Sequence, residues 1–85
     1  MITEGELNEI EQRVNKAQKS PWKAFIEGRD HNSGSSFIMI GLAENRKDDI
    51  ELIGATIEDY DFIANARQDI PKLINEIREL KSKIN

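Results

Sequence analysis

The sequence predicts an α+β domain built as a helix, a three-stranded antiparallel meander and a long C-terminal helix. Three observations carry that prediction. Apolar residues recur at helical spacing near both ends of the chain. The middle holds short apolar runs bounded by glycine, proline and polar residues. The connections between those runs are too short for a parallel crossover, so antiparallel pairing is expected. The 85 residues suffice for a single domain, residues 1–85.

The elements follow in order. Thr3-Glu4-Gly5-Glu6 spells a capping box, in which hydroxyl and carboxylate satisfy each other's orphan backbone N–H groups. Leu7, Ile10, Val14 and Ala17 then share one helical face. Ser20-Pro21 should stop this helix, because the residue before proline is pushed out of the α region; the expected span is 4–19. Trp22 to Glu27 reads as a half-buried strand with Trp22, Ala24 and Ile26 on one face. Gly28 to Ser36 is a polar loop. Phe37-Ile38-Met39-Ile40 is apolar on both faces and is placed centrally in the sheet. Leu42 to Asp49 is an exposed loop, and Ile50-Glu51-Leu52-Ile53 is the third expected strand. Thr56-Ile57-Glu58-Asp59 is a second capping box, and from there the chain is helical almost to its end. Pro71 either kinks that helix or restarts it near residue 70, with Asp69 as a good N-cap.

Composition narrows the function. Twelve basic residues against sixteen acidic ones give a formal charge of −4 and no basic stripe. A duplex nucleic-acid partner is therefore not expected. With no cysteine, disulfides and thiolate metal sites are absent. One histidine without a companion makes a metal centre an unsupported expectation, and no cofactor is expected. No stretch reaches the ~18 apolar residues of a membrane span. The N-terminal residues lack the basic start and apolar run of a signal peptide, so the cytoplasm is the expected location.

A core of this size supplies about 3–5 kcal/mol, and small proteins commonly add a staple. Without disulfide or metal, the remaining staple is oligomerisation. Ile63, Ala66, Ile70, Leu73, Ile77, Leu80 and Ile84 alternate at spacings of 3 and 4, a pattern that in parallel coiled coils favours two strands. Thirty helical residues would span ~45 Å, whereas strands of four or five residues span ~15 Å. The helix outruns its sheet, which points to self-association through Ile70, Leu73, Ile77, Leu80 and Ile84. The alternative is packing of this segment on the first helix of the same chain.

Gly28 to Ser36 is the chemically richest stretch, holding the single histidine, two glycines and three serines. Glycines let backbone N–H groups converge and serines add hydroxyl donors, a combination suited to phosphate or carboxylate. Arg29 offers the bidentate fork that phosphates favour. The competing reading is a hairpin loop of ordinary turn residues, although nine residues exceed the usual 2–5. Catalysis is not expected, because a triad of Ser33, His31 and Asp30 crowded into four residues cannot take up the required geometry. Arg67, beside the apolar stripe, is able to clamp an anion together with Arg29, and the alternative is an ion pair with Asp30 or Asp59. Asp61, Asn65 and Gln68 lie on one polar face of the second helix. Trp22 is expected in the core or, if exposed, as a stacking platform.

A resemblance adds to this. Trp22, Ile26 to His31, Gly34 and Phe37-Ile38, followed by Gly54-Ala55-Thr56, Asp59 and the run Asp61-Phe62-Ile63-Ala64-Asn65-Ala66-Arg67-Gln68-Asp69-Ile70-Pro71, resemble a family of small proteins of phages, prophages and other mobile elements. The likeness covers residues 22–80 and carries no catalytic residue with it. A looser likeness of class, in size, lack of cysteine and a donor-rich loop, is to phage anti-defence sponge proteins that sequester nucleotide signals. Together these imply a non-enzymatic, homo-oligomeric accessory protein that binds a small anionic, nucleotide-like ligand. The candidate contacts are Arg29, His31, Ser33, Gly34, Ser36, Arg67, Trp22 and Asn65. The alternative is a protein-interaction module that inhibits or bridges a host or phage protein.

Overall fold

The computed structural model describes residues 1–84, and its first helix begins where the capping box places it. Helix α1 spans Glu4–Lys16. The Thr3 Oγ1 accepts the Glu6 N–H at 3.1 Å, and the Thr3 N–H donates to Glu6 at 2.9 Å. The helix ends three residues before the expected Lys19, because Ala17 is already extended at ψ 161°.

Strands β1 (Trp22–Phe25) and β2 (Phe37–Ile40) pair antiparallel with Trp22 opposite Ile40 and Phe25 opposite Phe37. Strand β1 stops before Ile26, whose N–H donates to Asp30 at 2.8 Å instead of continuing outward. Alternation then sorts the side chains. Ala24, Ile26, Ile38 and Ile40 are buried, while Phe25 and Phe37 stack at 5.4 Å on the other face. Each of the three isoleucines contributes about 1.5–3 kcal/mol by leaving water.

The third expected strand does not form. Ile50 bridges Ile38 through two bonds of 2.8 and 2.9 Å, and the pairing ends there. The sheet therefore has two strands. Tyr60 is the reason. Its hydroxyl accepts the Leu52 N–H at 2.9 Å and lies 3.2 Å from the carbonyls of Leu52 and Ser36. A side chain from the helix thus takes the bonds that a third strand would have given to its neighbour, and Ile53 is left fully exposed.

Helix α2 is continuous over Ile57–Ile84 and passes through Pro71 without the restart near residue 70. Its second capping box is formed, with Thr56 and Asp59 bonded reciprocally at 3.0 and 3.1 Å. Tyr60, Ala64 and Ile74 are its buried residues. The first two cover the sheet, closing a core with Ala24, Ile26, Ile38 and Ile40. Helix α1 lies along α2, tied at its N-terminal end by Arg78 to Glu4, Asn8 and Glu11 and facing Ile63, Ala66 and Ile70 at its other end.

Gln68 has a role that the sequence did not announce. Its side-chain amide accepts the Trp22 N–H at 2.7 Å and donates to the Trp22 carbonyl at 3.2 Å, behaving like a strand neighbour. With Asp30 holding Ile26, both ends of the outer β1 edge are blocked against further strands.

Candidate functional site

The polar loop folds on itself, and its glycines permit this. The N–H groups of Arg29 and Asp30 both donate to the Ile26 carbonyl, at 3.0 and 2.8 Å, and the Gly28 N–H donates to the His31 carbonyl at 2.8 Å. Gly28 sits at φ 86°, a region that an L side chain rarely enters. The Glu27 carboxylate accepts the Gly34 N–H at 2.8 Å, and the Glu27 N–H donates to Ser36 Oγ at 3.0 Å. The extra length over an ordinary hairpin is thus taken up by internal bonds.

Arg29 is the electrostatic centre of this region. Its guanidinium reaches Asp61 on α2 bidentately, at 2.8 and 3.0 Å, and also contacts Asp30 at 2.9 and 3.1 Å. The hydrogen bonds from Asp61 and then Asp30 raise its pKa. The carboxyl groups of Asp61 and Asp30 are held below their ordinary value, chiefly by the same guanidinium. Of the alternatives open for an arginine here, ion pairing with Asp30 is realised for Arg29, and Asp61 is a partner the sequence did not suggest. No spacing signal connects two residues 32 positions apart.

His31 stands apart from Arg29. Its Nδ1 lies 2.6 Å from Ser33 Oγ, 3.2 Å from the Ser33 N–H and 3.6 Å from Glu27. Its Nε2 is buried without a partner beside Phe25 and Phe37, whose ring centroids are 6.4 and 5.2 Å from its own. A triad needs nucleophile and orienting carboxylate at opposite ring nitrogens. Here Ser33 and Glu27 share one nitrogen, while Asp30 is committed to Arg29. The arrangement fixes a loop and does not activate a hydroxyl.

The eight candidate contacts fall into three places. Trp22, Arg29 and Asn65 line a concavity of about 220 Å³ between β1 and α2, joined by Lys23, Asp30 and Asp61. His31, Ser33, Gly34 and Ser36 gather around Glu27 instead. Arg67 lines a different groove, of about 250 Å³, between α1 and α2, and donates to the Gln18 carbonyl at 2.7 Å. Only Trp22 borders both concavities. A further hollow of about 650 Å³ lies beyond the end of α1 and is lined by none of the candidate residues. Among the described residues, no three or more His, Asp or Glu side chains converge as a metal site.

The apolar stripe of α2 divides as it winds. Ile77 is half-buried, with Ile63 and Ile70 beside it on the flank that meets α1. Phe62, Leu73, Leu80 and Ile84 project to solvent with 75, 60, 50 and 78% of their surface exposed. Phe62 lay outside the expected interface set, and Ile74, which the spacing left off the stripe, is the residue that anchors the C-terminal half. The 3-and-4 spacing marks a broad apolar face but not which edge of it the body covers. No helix among the described residues is long and apolar enough to cross a membrane.

No family model, no curated protein and no solved structure matches this chain.

Proposed function

We propose that the protein is a non-enzymatic accessory module that works by contact, joining copies of itself through the solvent-facing strip of α2. In the phage or prophage setting that the resemblance implies, such an assembly would act in the host cytoplasm by bridging or blocking another protein. The observation that carries this reading is the strip itself. Its solvent-facing side chains, Phe62, Leu73, Leu80 and Ile84, amount to roughly 550 Å², at the upper end of the 300–600 Å² of the largest patch on a typical monomer, which is often functional. The loop favours the same conclusion, because its best anion donors are already held by Asp61, Asp30 and Glu27.

Light scattering on the eluting protein tests the reading. The wild type is expected as a dimer or higher species, and Leu73→Glu as a monomer of unchanged helical content. Leu73 is exposed, so this substitution does not open the core. A wild type that remains monomeric at hundreds of micromolar would remove the proposal.

A second reading rests on the concavity lined by Trp22, Lys23, Arg29 and Asn65. It has cationic groups, an aromatic wall and room for part of a small anionic, nucleotide-like ligand, as sequestration by a sponge protein requires. An incoming phosphate must compete with Asp61 for the Arg29 guanidinium, so binding here implies exchange of one anion for another. Native mass spectrometry with linear and cyclic nucleotides should then show a mass gain that Arg29→Ala loses. A chain that gains no mass from any of them excludes this reading and leaves the first intact.

A further inference from the structure

Four exposed apolar side chains of α2, together with the half-buried Ala66, are distributed symmetrically about Leu73. Phe62, Ala66, Leu73, Leu80 and Ile84 stand at −11, −7, 0, +7 and +11 residues from it, all on one side of the helix. Two such helices running in opposite directions and crossing at Leu73 match each of these five to an apolar residue, while Ile63 and Ile70, on the flank that meets α1, fall opposite Lys83 and Glu76. Phe62 meets Ile84 of the other copy, Ala66 meets Leu80, and Leu73 meets itself across the two-fold axis. A parallel pair in register also matches apolar to apolar, so hydrophobic pattern alone does not choose between the two directions.

Charge does choose. Residues 57–69 of α2 carry Glu58, Asp59, Asp61 and Asp69 against Arg67, four acidic and one basic, a net −3. Residues 70–84 carry Lys72, Arg78, Lys81 and Lys83 against Glu76 and Glu79, four basic and two acidic, a net +2. A parallel pair stacks acidic half on acidic half and basic half on basic half. An antiparallel pair sets each acidic half against a basic one, and also opposes the two helix dipoles. Arg78, Lys81 and Asp61 are engaged within their own chain by Glu4, Glu11 and Arg29. Lys83 also lies 3.6 Å from Glu79 of its own helix. Among the described residues, the charges without an ion-pair partner are therefore Glu58, Asp59 and Asp69 against Arg67 in the first half, a net −2, and Lys72 against Glu76 in the second, a net of zero. The parallel pair is thus disfavoured by setting one acidic half on the other. The sheet packs on the side of Tyr60 and Ala64 and α1 reaches the flank of Ile63, Ala66 and Ile70, which leaves Phe62, Leu73, Leu80 and Ile84 open.

We infer that a second copy of this chain covers the α2 strip antiparallel, with the two-fold axis at Leu73. This rests on the self-association proposed above and adds its direction and centre. The exposed residues matched in this pairing offer about 550 Å² per copy, near the ~600 Å² per partner at the low end of specific interfaces. The assembly is a bridge. The Arg29–Asp61 regions of the two copies lie at opposite ends, about 36 Å apart along the axis at 1.5 Å per residue, and present the same polar loop in two directions.

Spin labels test direction and association separately. The chain has no cysteine of its own, so a single introduced one carries the only label. Asn65→Cys and Lys72→Cys place labels on exposed positions beside the strip, one far from the proposed axis and one next to it. In the antiparallel pair the two labels at 65 are separated by about 24 Å along the axis, at 1.5 Å per residue. Those at 72 approach the interaxial distance of about 10 Å. If the distance at 65 is as short as that at 72, the helices run parallel; the inference is then overturned while self-association stands. If neither label reports a neighbour and the protein has the mass of one chain, both fail, and the strip belongs to a different protein.

Discussion

At Gly41 the backbone takes φ 76°, and a Cβ there would run into the Asn45 carbonyl oxygen of the following 3-10 turn. Gly41→Ala combines a left-handed backbone with a clash against atoms that cannot swing away. A loss of about 2 kcal/mol or more is expected, read as a lower urea midpoint with an unchanged slope. Asp61 governs a different kind of dependence. Its folded-state pKa lies below the ordinary 3.8 because Arg29 holds the charged form. The stabilisation is therefore present above pH 3.8 and is lost as pH falls through the lower folded value. Asp61→Asn is expected to melt below the wild type at neutral pH, with the two melting temperatures converging once the pH drops under the ordinary aspartate range. A gap that persists at pH 2 would show that something other than this ion pair separates them. At this scale the sequence was informative about residue type and silent about partners. Arg29 was legible as a group in need of an anion, but that the anion is Asp61 depends on how α2 lies over β1. Gln68 and Tyr60 were likewise legible only as a polar and an aromatic residue. What they do, bonding Trp22 and Leu52 in place of strands, follows from a packing distance that no local pattern encodes.

Among the elements, α2 shows how much a helix can override one residue. Proline at position 71 lacks the N–H that would donate to the Arg67 carbonyl, and its ring crowds that turn. The helix nevertheless continues, because Ile74 is anchored on the body after it as Ala64 is before it, and α1 braces the C-terminal half. Pro71→Ala is expected to stabilise the fold by about 1–3 kcal/mol, the difference in helix-interior propensity, in a urea titration monitored by circular dichroism. An unchanged or lower midpoint would mean that the proline ring makes a packing contribution of similar size. The two capping boxes formed where the chain spelled them, because a cap involves neighbours within three residues and needs no tertiary context. Ile50 to Ile53 had the composition of a strand, yet only Ile50 bridges the sheet. Strand composition states what a segment tolerates on a half-buried surface, and the neighbour that completes it is decided elsewhere.

The molecule as a whole is elongated, with extents of 52, 28 and 19 Å. A 28-residue helix spans ~42 Å, and the four-residue strands beneath it cover ~13 Å. Part of the surplus is covered by α1, and its outer side carries the apolar strip of Leu73, Leu80 and Ile84. If two copies share it, folding and association are coupled, and apparent stability rises with concentration. The wild type is expected to gain melting temperature across a hundredfold increase in concentration, while Leu73→Glu stays constant. A wild type equally indifferent to dilution would detach the strip from self-association. Whereas the third expected strand was not realised, the two helices, their starts at capping boxes, the first two strands and the existence of an apolar face on α2 were determined by the sequence itself. Each of these rests on spacing within one turn or one pleat. Only the tertiary structure decided which edge of that face stays in water, that Arg29 and Arg67 serve different concavities, and that the donor-rich loop spends its donors on Glu27, Asp30 and Asp61. Those outcomes depend on the rotation of α2 about its own axis over the sheet, which is set by the summed packing of Tyr60, Ala64 and Ile74 and by no single residue.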